Sequence, residues 1–590
     1  MHRSDSNMTD VVFITLLQNR LDNISQQMGW VMQRTARSPI FSDAHDFSCF
    51  IADVNGNLVS VADGLPIHTG GGGFAVEAVV KSVGGIACIS PGDVFISSDP
   101  YEGGGNHLPD WTIVSPVFFD DMLIAFTCNR AHQSDIGGGA AGTYNSKATE
   151  IFHEGIRIPP IRIATQGNIN EDLVKLLKLN SRCPALIEGD LRAMIGSTKI
   201  GAKRIIELAH EVGVDKLVKA FNSVLDHAEK RMRVAIATLQ AGTYTGIDAS
   251  DTDCFTETSV PVVARIEVKG EAIWVDLSES ADQIRGFKNS SLANTYSAVY
   301  VAILSFLGCD VPRNAGAFRP INIITREGSV VHARFPAPLT SCTGYPATEI
   351  INAVWQALGQ ARPDLSCAGW GKASHGICSG VGKGGDTFVL YHMLAHAGTG
   401  AVRGRDGFPS LGTVVTLGGI QIPNVEAVES KYPVFVKRQE MRCDAAGAGE
   451  YRGGTGVHYE VMIEMDAEHS FRGEGDRTPS GFGAVGGATG DKANVTIIGI
   501  DGTAEQAPQY GVVNLPPIEL HITSSAGGGW GNPYARPPER VLRDVEDEIV
   551  STFAARCTYG VAIDGSTMEI DWAETARLRQ QAAPMIGQIL

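Results

Sequence analysis

The stretch HLPDWTIVSPVFFDDMLIAFTCNRAHQSD, residues 107–135, holds two apolar runs between two histidine-carboxylate pairs. The runs Trp111 to Phe118 and Leu123 to Cys128 are rich in β-branched and aromatic residues and read as the strands of a hairpin. A hairpin brings the bases of its strands together, so His107-Leu108-Pro109-Asp110 and His132-Gln133-Ser134-Asp135 are expected to meet at one end of it. Each pair sets a carboxylate three residues after an imidazole, and Gly103 to Gly105 and Gly137 to Gly139 crowd them. Neutral imidazole and carboxylate are ligand types that suit zinc, manganese or ferrous iron. A catalytic ion needs a few such ligands and one open position. The predicted ligands are His107, Asp110, His132 and Asp46, the last at the start of an earlier strand. The plainer reading makes them loop residues that satisfy nearby backbone groups.

Working outward, Thr9 to Arg37 reads as a long helix, with Leu17, Leu21, Ile24 and Met28 at helical spacing. Phe47 to Leu58 reads as strand-turn-strand around Asn55-Gly56, and Phe74 to Val83 as a short helix after Gly70 to Gly73. Val94 to Ser97 adds a strand, and Glu171 to Leu239 is mostly helical. Gly242 to Asp248, Val260 to Val268 and Ile273 to Leu277 alternate like strands, followed by apolar helices at Ala293 to Leu307 and Ala347 to Leu358. Beyond Gly371, short strands alternate with glycine-rich turns, and Pro533 to Arg540 reads as a hinge. The expected fold class is mixed α/β (α+β) and multi-domain. The expected divisions are residues 1–240, which hold the metal site, 241–370, a β-rich 371–535 and a helical 536–590.

Composition bounds the function. The 590 residues carry a net charge of −17, which argues against nucleic acid and gives no basic footprint for a membrane surface. No apolar run approaches the roughly 18 residues a membrane span needs, and the polar start shows no secretory signal. Eleven scattered cysteines without a Cys-x-x-Cys read as reduced thiols of a cytoplasmic protein. The 68 glycines form no low-complexity tract and imply tight turns and close backbone contacts.

Several other residues are candidates. Asp135, Glu154 and His153 are expected to orient a ligating imidazole or to take a proton as catalytic groups. His68 competes as a metal ligand, and Asn106 and Arg157 are placed to touch substrate or support the ligands. His392 and His396 are four apart, but Met393 stands where a metalloprotease needs glutamate, so they read as structural. The run Gly380 to Gly385 lacks the glycine and hydroxyl of a phosphate loop, because Ile377 and Gly384 occupy those positions. Cys378 near His375 and Cys128 near His132 could form nucleophile pairs, although buried thiols are inert.

Together these motifs resemble the hydantoinase B/oxoprolinase family from end to end. The resemblance rests on Asp46-Phe47-Ser48, Asp99-Pro100-Tyr101, His107-Leu108-Pro109-Asp110, Ala131-His132 through Gly138, and Glu154 through Pro160. It continues through Arg405-Asp406-Gly407, Tyr451-Arg452-Gly453-Gly454 and Gly527 through Pro533. Ser98, Asn106 and Ala445 depart from residues more usual in the family. The resemblance implies a B-type subunit that carries one divalent ion, zinc, manganese or iron. It also implies a hydantoinase A-like ATPase partner that binds ATP and magnesium and phosphorylates the substrate oxygen, in a heterotetramer or larger assembly. The implied reaction is ATP-dependent opening of a cyclic amide such as a hydantoin, N-methylhydantoin, 5-oxoproline or a lactam. Alternatives are a subunit of an acetone- or acetophenone-type ketone carboxylase, and a non-catalytic scaffold for the ATPase.

Overall fold

Residues 107–135 do form a hairpin. In the computed structural model, which describes residues 2–61, 64–308, 310–374, 376–382 and 384–586, β4 (Asp110–Phe119) pairs antiparallel with β5 (Met122–His132). Phe119 faces Met122 across the two-residue turn, and at the far end Asp110 faces His132. The hairpin sits inside a seven-stranded sheet with β1 (Phe47–Ala52), β2 (Leu58–Val61), β3 (Val94–Ser97), β6 (Ile161–Thr165) and β7 (Asn168–Ile169). The strand order is β2-β1-β5-β4-β3-β6-β7, and every pairing is antiparallel.

Both faces of this sheet are covered, so β1 and most of β4 and β5 are buried without alternation. The helix Pro184–Val212 lies on one face, where Thr127 and Asn129 donate to its backbone carbonyls at Thr198 (3.0 Å) and Met194 (2.8 Å). The long helix His2–Thr35 packs beside it, with Leu17, Leu21 and Ile24 against Ile205, Leu208 and Phe221. On the other face, Val76 and Val79 of the helix Gly72–Ser82 pack on Phe50, Phe95 and Phe126. A second sheet holds β8 (Gly242–Ser250), β9 (Val260–Lys269), β10 (Ala272–Asp276) and β11 (Ile321–Ile324) in the order β11-β10-β9-β8. The helices Leu292–Leu307 and Ala347–Ala361 accompany it.

The chain groups into two compact units. The first runs through Ala361 and also takes Gly384–Leu390 and Val415–Ile422; the second comprises the rest. Within the second, a five-stranded sheet (Val434–Met441, Val457–Ile463, Ile518–Thr523, Asn494–Gly499, Ala504–Gln506) adjoins a core built from glycine backbones. Gly527 donates to the Gly454 carbonyl, Gly528 to that of Gly369 and Gly529 to that of Ala488, each at 2.9 Å. Segments approach so closely that a Cβ at Gly527 would stand 1.9 Å from the Thr399 carbonyl oxygen. This close packing accounts for the abundance of glycine beyond residue 371.

The segment Pro533 to Arg540 is not a hinge. Asn532 caps a turn at Pro533–Ala535, and Pro538 opens the helix Pro538–Glu546, a position where its missing N–H is no loss. Between them the buried Arg536 pairs with Asp406 (2.7 Å) and Asp544 (2.8 Å), which ties this segment into the second unit. Among the described residues no helix is long and apolar enough to cross a membrane. His375 and Lys383 lie outside the described residues.

Candidate metal centre

The sheet itself assembles the site, within the first unit. Strands β1, β5 and β4 are neighbours, and their ends coincide. The His132 N–H donates to the Asp46 carbonyl (3.1 Å), and Asp110 is the register partner of His132. The turn preceding β4 folds back, with the Asp110 N–H on the His107 carbonyl at 3.2 Å. His68 arrives from the short helix Pro66–Thr69.

These side chains converge on one carboxylate. Asp110 Oδ1 lies 2.8 Å from His107 Nε2 and 3.2 Å from His132 Nδ1, while Oδ2 lies 3.4 Å from His68 Nε2. His68 Nε2 is also 3.7 Å from Asp46 Oδ1. His107, Asp110 and His132 each present a ligand atom within 4.8 Å of the others, and all three are buried. Asp46, with 14% of its side chain exposed, is the more open carboxylate; Asp110 is fully enclosed.

The protonation pattern asks for a cation. His107 Nδ1 lies 2.5 Å from the Thr340 carbonyl oxygen, which can only accept, so Nδ1 carries the proton. In the neutral ring the Nε2 lone pair then faces an ionised Asp110 oxygen. Burial pushes the Asp110 carboxyl up, but positive charge on the neighbouring His107 and His68 rings outweighs it and holds it well below its usual range, and where those rings are neutral a bound cation would supply that charge instead. Burial pushes His68 down, against the pull of Asp110 and Asp46, and so favours its neutral, ligand-competent form. Asp46 Oδ1 and Asp110 Oδ2 are buried without a hydrogen-bond donor. Buried acceptors turned toward one another are costly unless a positive charge lies among them. The residues present therefore fit a divalent ion, and the imidazole-carboxylate donor set suits zinc, manganese or iron.

Around the cluster stands a frame that the sequence reading missed. Arg130, fully buried on β5, donates to the His68 carbonyl (3.0 Å), Asn106 Oδ1 (3.0 Å), the Gly104 carbonyl (2.9 Å) and the Thr112 hydroxyl (2.8 Å). It thereby locks the glycine loop to the turn bearing His68. Burial lowers Arg130 to about 10, partly opposed by Asp110, which leaves it charged near neutrality. Asn106 also donates to the Ile67 carbonyl (3.0 Å), so its role is in this frame. The Tyr144 ring stacks on His132 with centroids 5.9 Å apart. Strand alternation around His132 could have marked Arg130 as an inward charge; nothing local marks Thr340, more than 200 residues away from His107.

The other candidates lie in supporting positions. Asp135 accepts from the backbone N–H groups of Gly137 (3.1 Å), Gly142 (3.1 Å) and Arg182 (2.8 Å) and pairs with the Arg182 guanidinium (3.1 Å), which organises the glycine loop after β5. His153 is exposed, and its Nδ1 accepts from the Thr149 N–H at 3.3 Å. Arg157 pairs with Asp99 (2.6 Å) and lies over the rings of Phe335 (4.7 Å) and Phe152 (5.5 Å). Glu154 is buried and accepts from the N–H groups of Leu339 (2.9 Å) and Thr340 (2.7 Å). His392 and His396 flank a short turn and are buried, which lowers them to about 3 and about 4 and keeps them neutral. Burial pushes the Cys378 thiol up to about 12 and raises that of Cys128 as well, which disfavours the thiolate a nucleophile needs. Beside the cluster, the turn bearing His68 also walls a cavity of about 210 Å³, lined by Val61, Pro66, Tyr300, Leu304, Phe318 and Leu417 among others.

The profile of the family described as hydantoinase B/oxoprolinase matches residues 10–533. The caprolactamase subunit beta of Pseudomonas jessenii is 32% identical over 589 residues, covering 96% of this chain and 99% of the relative. The crystal structure of ATP-dependent caprolactamase from the same organism superposes with a TM-score of 0.88 at 31% identity, covering 96% of this chain and 99% of the other. A nucleotide-free acetone carboxylase structure shares the fold, with a TM-score of 0.88 at 18% identity over 97% of this chain and 83% of the other.

Proposed function

The chain belongs to the hydantoinase B/oxoprolinase family, and on that premise we propose that it is the metal-holding B subunit of an ATP-dependent cyclic amide hydrolase. Its substrates in this reading are hydantoins, N-methylhydantoin, 5-oxoproline or lactams. Its partner is a hydantoinase A-like ATPase that phosphorylates the amide oxygen, which makes the ring carbon electrophilic and supplies a leaving group. The observation that carries the reading is the convergence of His107, His132, His68 and Asp46 on the enclosed Asp110.

Asp46, His107, Asp110 and His132 would hold the ion, with His68 between the two carboxylates. When bound, such an ion supplies Lewis acidity toward a carbonyl oxygen or a water. The chain's own residues do the rest. Asp110 stays ionised and fixes three imidazoles about itself. The Thr340 carbonyl holds the His107 proton on Nδ1 and so leaves Nε2 as a donor atom. Arg130 keeps the His68 turn and the glycine loop in register. Burial of the cluster excludes bulk water.

The test is the purified chain with an A-type partner, assayed for ATP-dependent ring opening on a panel of hydantoins and lactams, with and without bicarbonate. The expected result is bicarbonate-independent hydrolysis and about one metal ion per chain. His107→Ala and Asp110→Ala should lose both metal and turnover while the partner still binds ATP. A strict bicarbonate requirement with ketone substrates would overturn the reading in favour of a carboxylase. Full activity in both alanine variants would leave a scaffold.

A further inference from the structure

We propose that Glu154 is a positioning residue for the metal centre, acting on His107 through the Leu339-Thr340 backbone. This inference rests on the metal-holding reading above. Glu154 Oε2 accepts from the Leu339 N–H (2.9 Å) and Oε1 from the Thr340 N–H (2.7 Å), while the carbonyl of the same Thr340 accepts from His107 Nδ1 (2.5 Å). His107 Nε2 then faces Asp110 at 2.8 Å. The relay therefore runs from carboxyl to backbone to imidazole to the shared carboxylate. Metal-bound histidines commonly give their second N–H to a carbonyl or carboxylate, which fixes the ring and its tautomer. Here the carbonyl belongs to an irregular segment with no strand ladder to hold it, so its position depends on what grips its N–H groups. Glu154 grips two in succession.

Other contacts place the segment coarsely. The Tyr101 hydroxyl donates to the Ala337 carbonyl (2.7 Å), the Ile151 N–H donates to that of Pro336 (2.8 Å), and the Phe152 and Phe335 rings meet edge to face. These hold residues 335–337. Nearer the site, Asn289 donates to the Pro338 carbonyl (3.0 Å), and the Ser341 N–H, which shares a peptide plane with the Thr340 carbonyl, donates to the Phe287 carbonyl (3.2 Å), so Glu154 anchors the two peptides that lead into that carbonyl while Phe287 anchors its own. Asp135 grips backbone N–H groups in the same manner, but those belong to Gly137, Gly142 and Arg182 and not to the segment that carries Thr340. Asp135 is thus the control that separates gripping a loop from gripping this loop.

The experiment compares wild type, Glu154→Gln and Asp135→Asn in the full chain, by metal content after equilibration with a chelator series and by thermal melting of the metal-free proteins. Metal affinity is measured above about pH 8, where the Glu154 carboxyl is ionised and both its oxygens accept, whereas the glutamine amide turns an N–H₂ toward one of the two backbone donors and cannot accept from it. The expected result is a metal dissociation constant about 10- to 100-fold weaker in Glu154→Gln, with the metal-free melt close to that of wild type, and unchanged metal affinity in Asp135→Asn. Wild-type affinity in a folded Glu154→Gln would overturn the inference and leave the metal-holding reading intact. Equal loss in both variants would also overturn it, because the effect would then be general loosening. A wild-type chain that takes up no metal would sink the metal-holding reading and this inference with it.

Discussion

At the scale of single residues, Glu154 carries a signature in pH as well as in metal affinity. Burial lifts its carboxyl from the ordinary 4.5 to about 8, against the N–H groups of Leu339 and Thr340, which pull it down. Between those values the folded chain keeps a proton that the unfolded chain releases. Stability from this group is therefore full below about pH 4.5 and is lost as pH rises through about 8. Metal-free wild type is expected to weaken across that window by on the order of a few kcal/mol more than Glu154→Gln does. Urea midpoints at a series of pH values check this, and parallel curves for the two proteins would refute it. That the two histidine-carboxylate pairs would meet was legible in the sequence, because a hairpin brings the bases of its strands together. The division of labour among Asp135, His153 and Glu154 was not. Asp135 closes the second pair and His153 and Glu154 follow it, and what separates the three is which backbone each one meets.

At the scale of elements, the hairpin register is what turns a spacing into a site. Asp110 and His132 are direct partners, and a slip of one residue would send one of them to the opposite face of the sheet. That end is held by the loop before it. Gly104 has φ +66°, and a Cβ there would stand 2.4 Å from the Phe74 carbonyl carbon. Its own carbonyl accepts from Arg130. Gly104→Ala is expected to destabilise the first unit by about 2–4 kcal/mol, combining left-handed strain with a backbone clash, and to lower metal retention. Thermal melting together with elemental analysis reads both. A variant with wild-type melting and full metal content would show that the loop can shift without moving His107. The strands and helices were largely readable from periodicity, and even the long helix at the start, read as Thr9 to Arg37, is found as His2–Thr35. The proline-rich stretch at 533–540 misled for a local reason. Proline at a first helical turn and proline in a linker look alike until a neighbour such as Asp544 captures the intervening Arg536.

At the scale of the whole molecule, chain order and spatial grouping part company. Gly384–Leu390 and Val415–Ile422 belong to the first unit although the sequence around them belongs to the second. The Gln421 N–H donates to the Ala44 carbonyl (2.9 Å), two residues before Asp46, and a Cβ at Gly419 would stand 2.9 Å from the Gly64 carbonyl oxygen. The Cys183 thiol reaches the Thr387 carbonyl at 3.7 Å. Composition cannot reveal such returns, because a short excursion is no richer in any residue type than the glycine-rich turns beside it. A fragment truncated after residue 361 keeps all five clustered side chains but loses the strap behind Asp46. It is therefore expected to melt at least about 5 °C below the first transition of the full chain, or to aggregate, and to hold metal more weakly. Calorimetry and metal analysis of the fragment beside the full chain decide the matter. A fragment that melts and binds metal as the full chain does would mean that the returning segments cover the site without supporting it, and that Asp46 is positioned by β1 and its pairing with β5 alone.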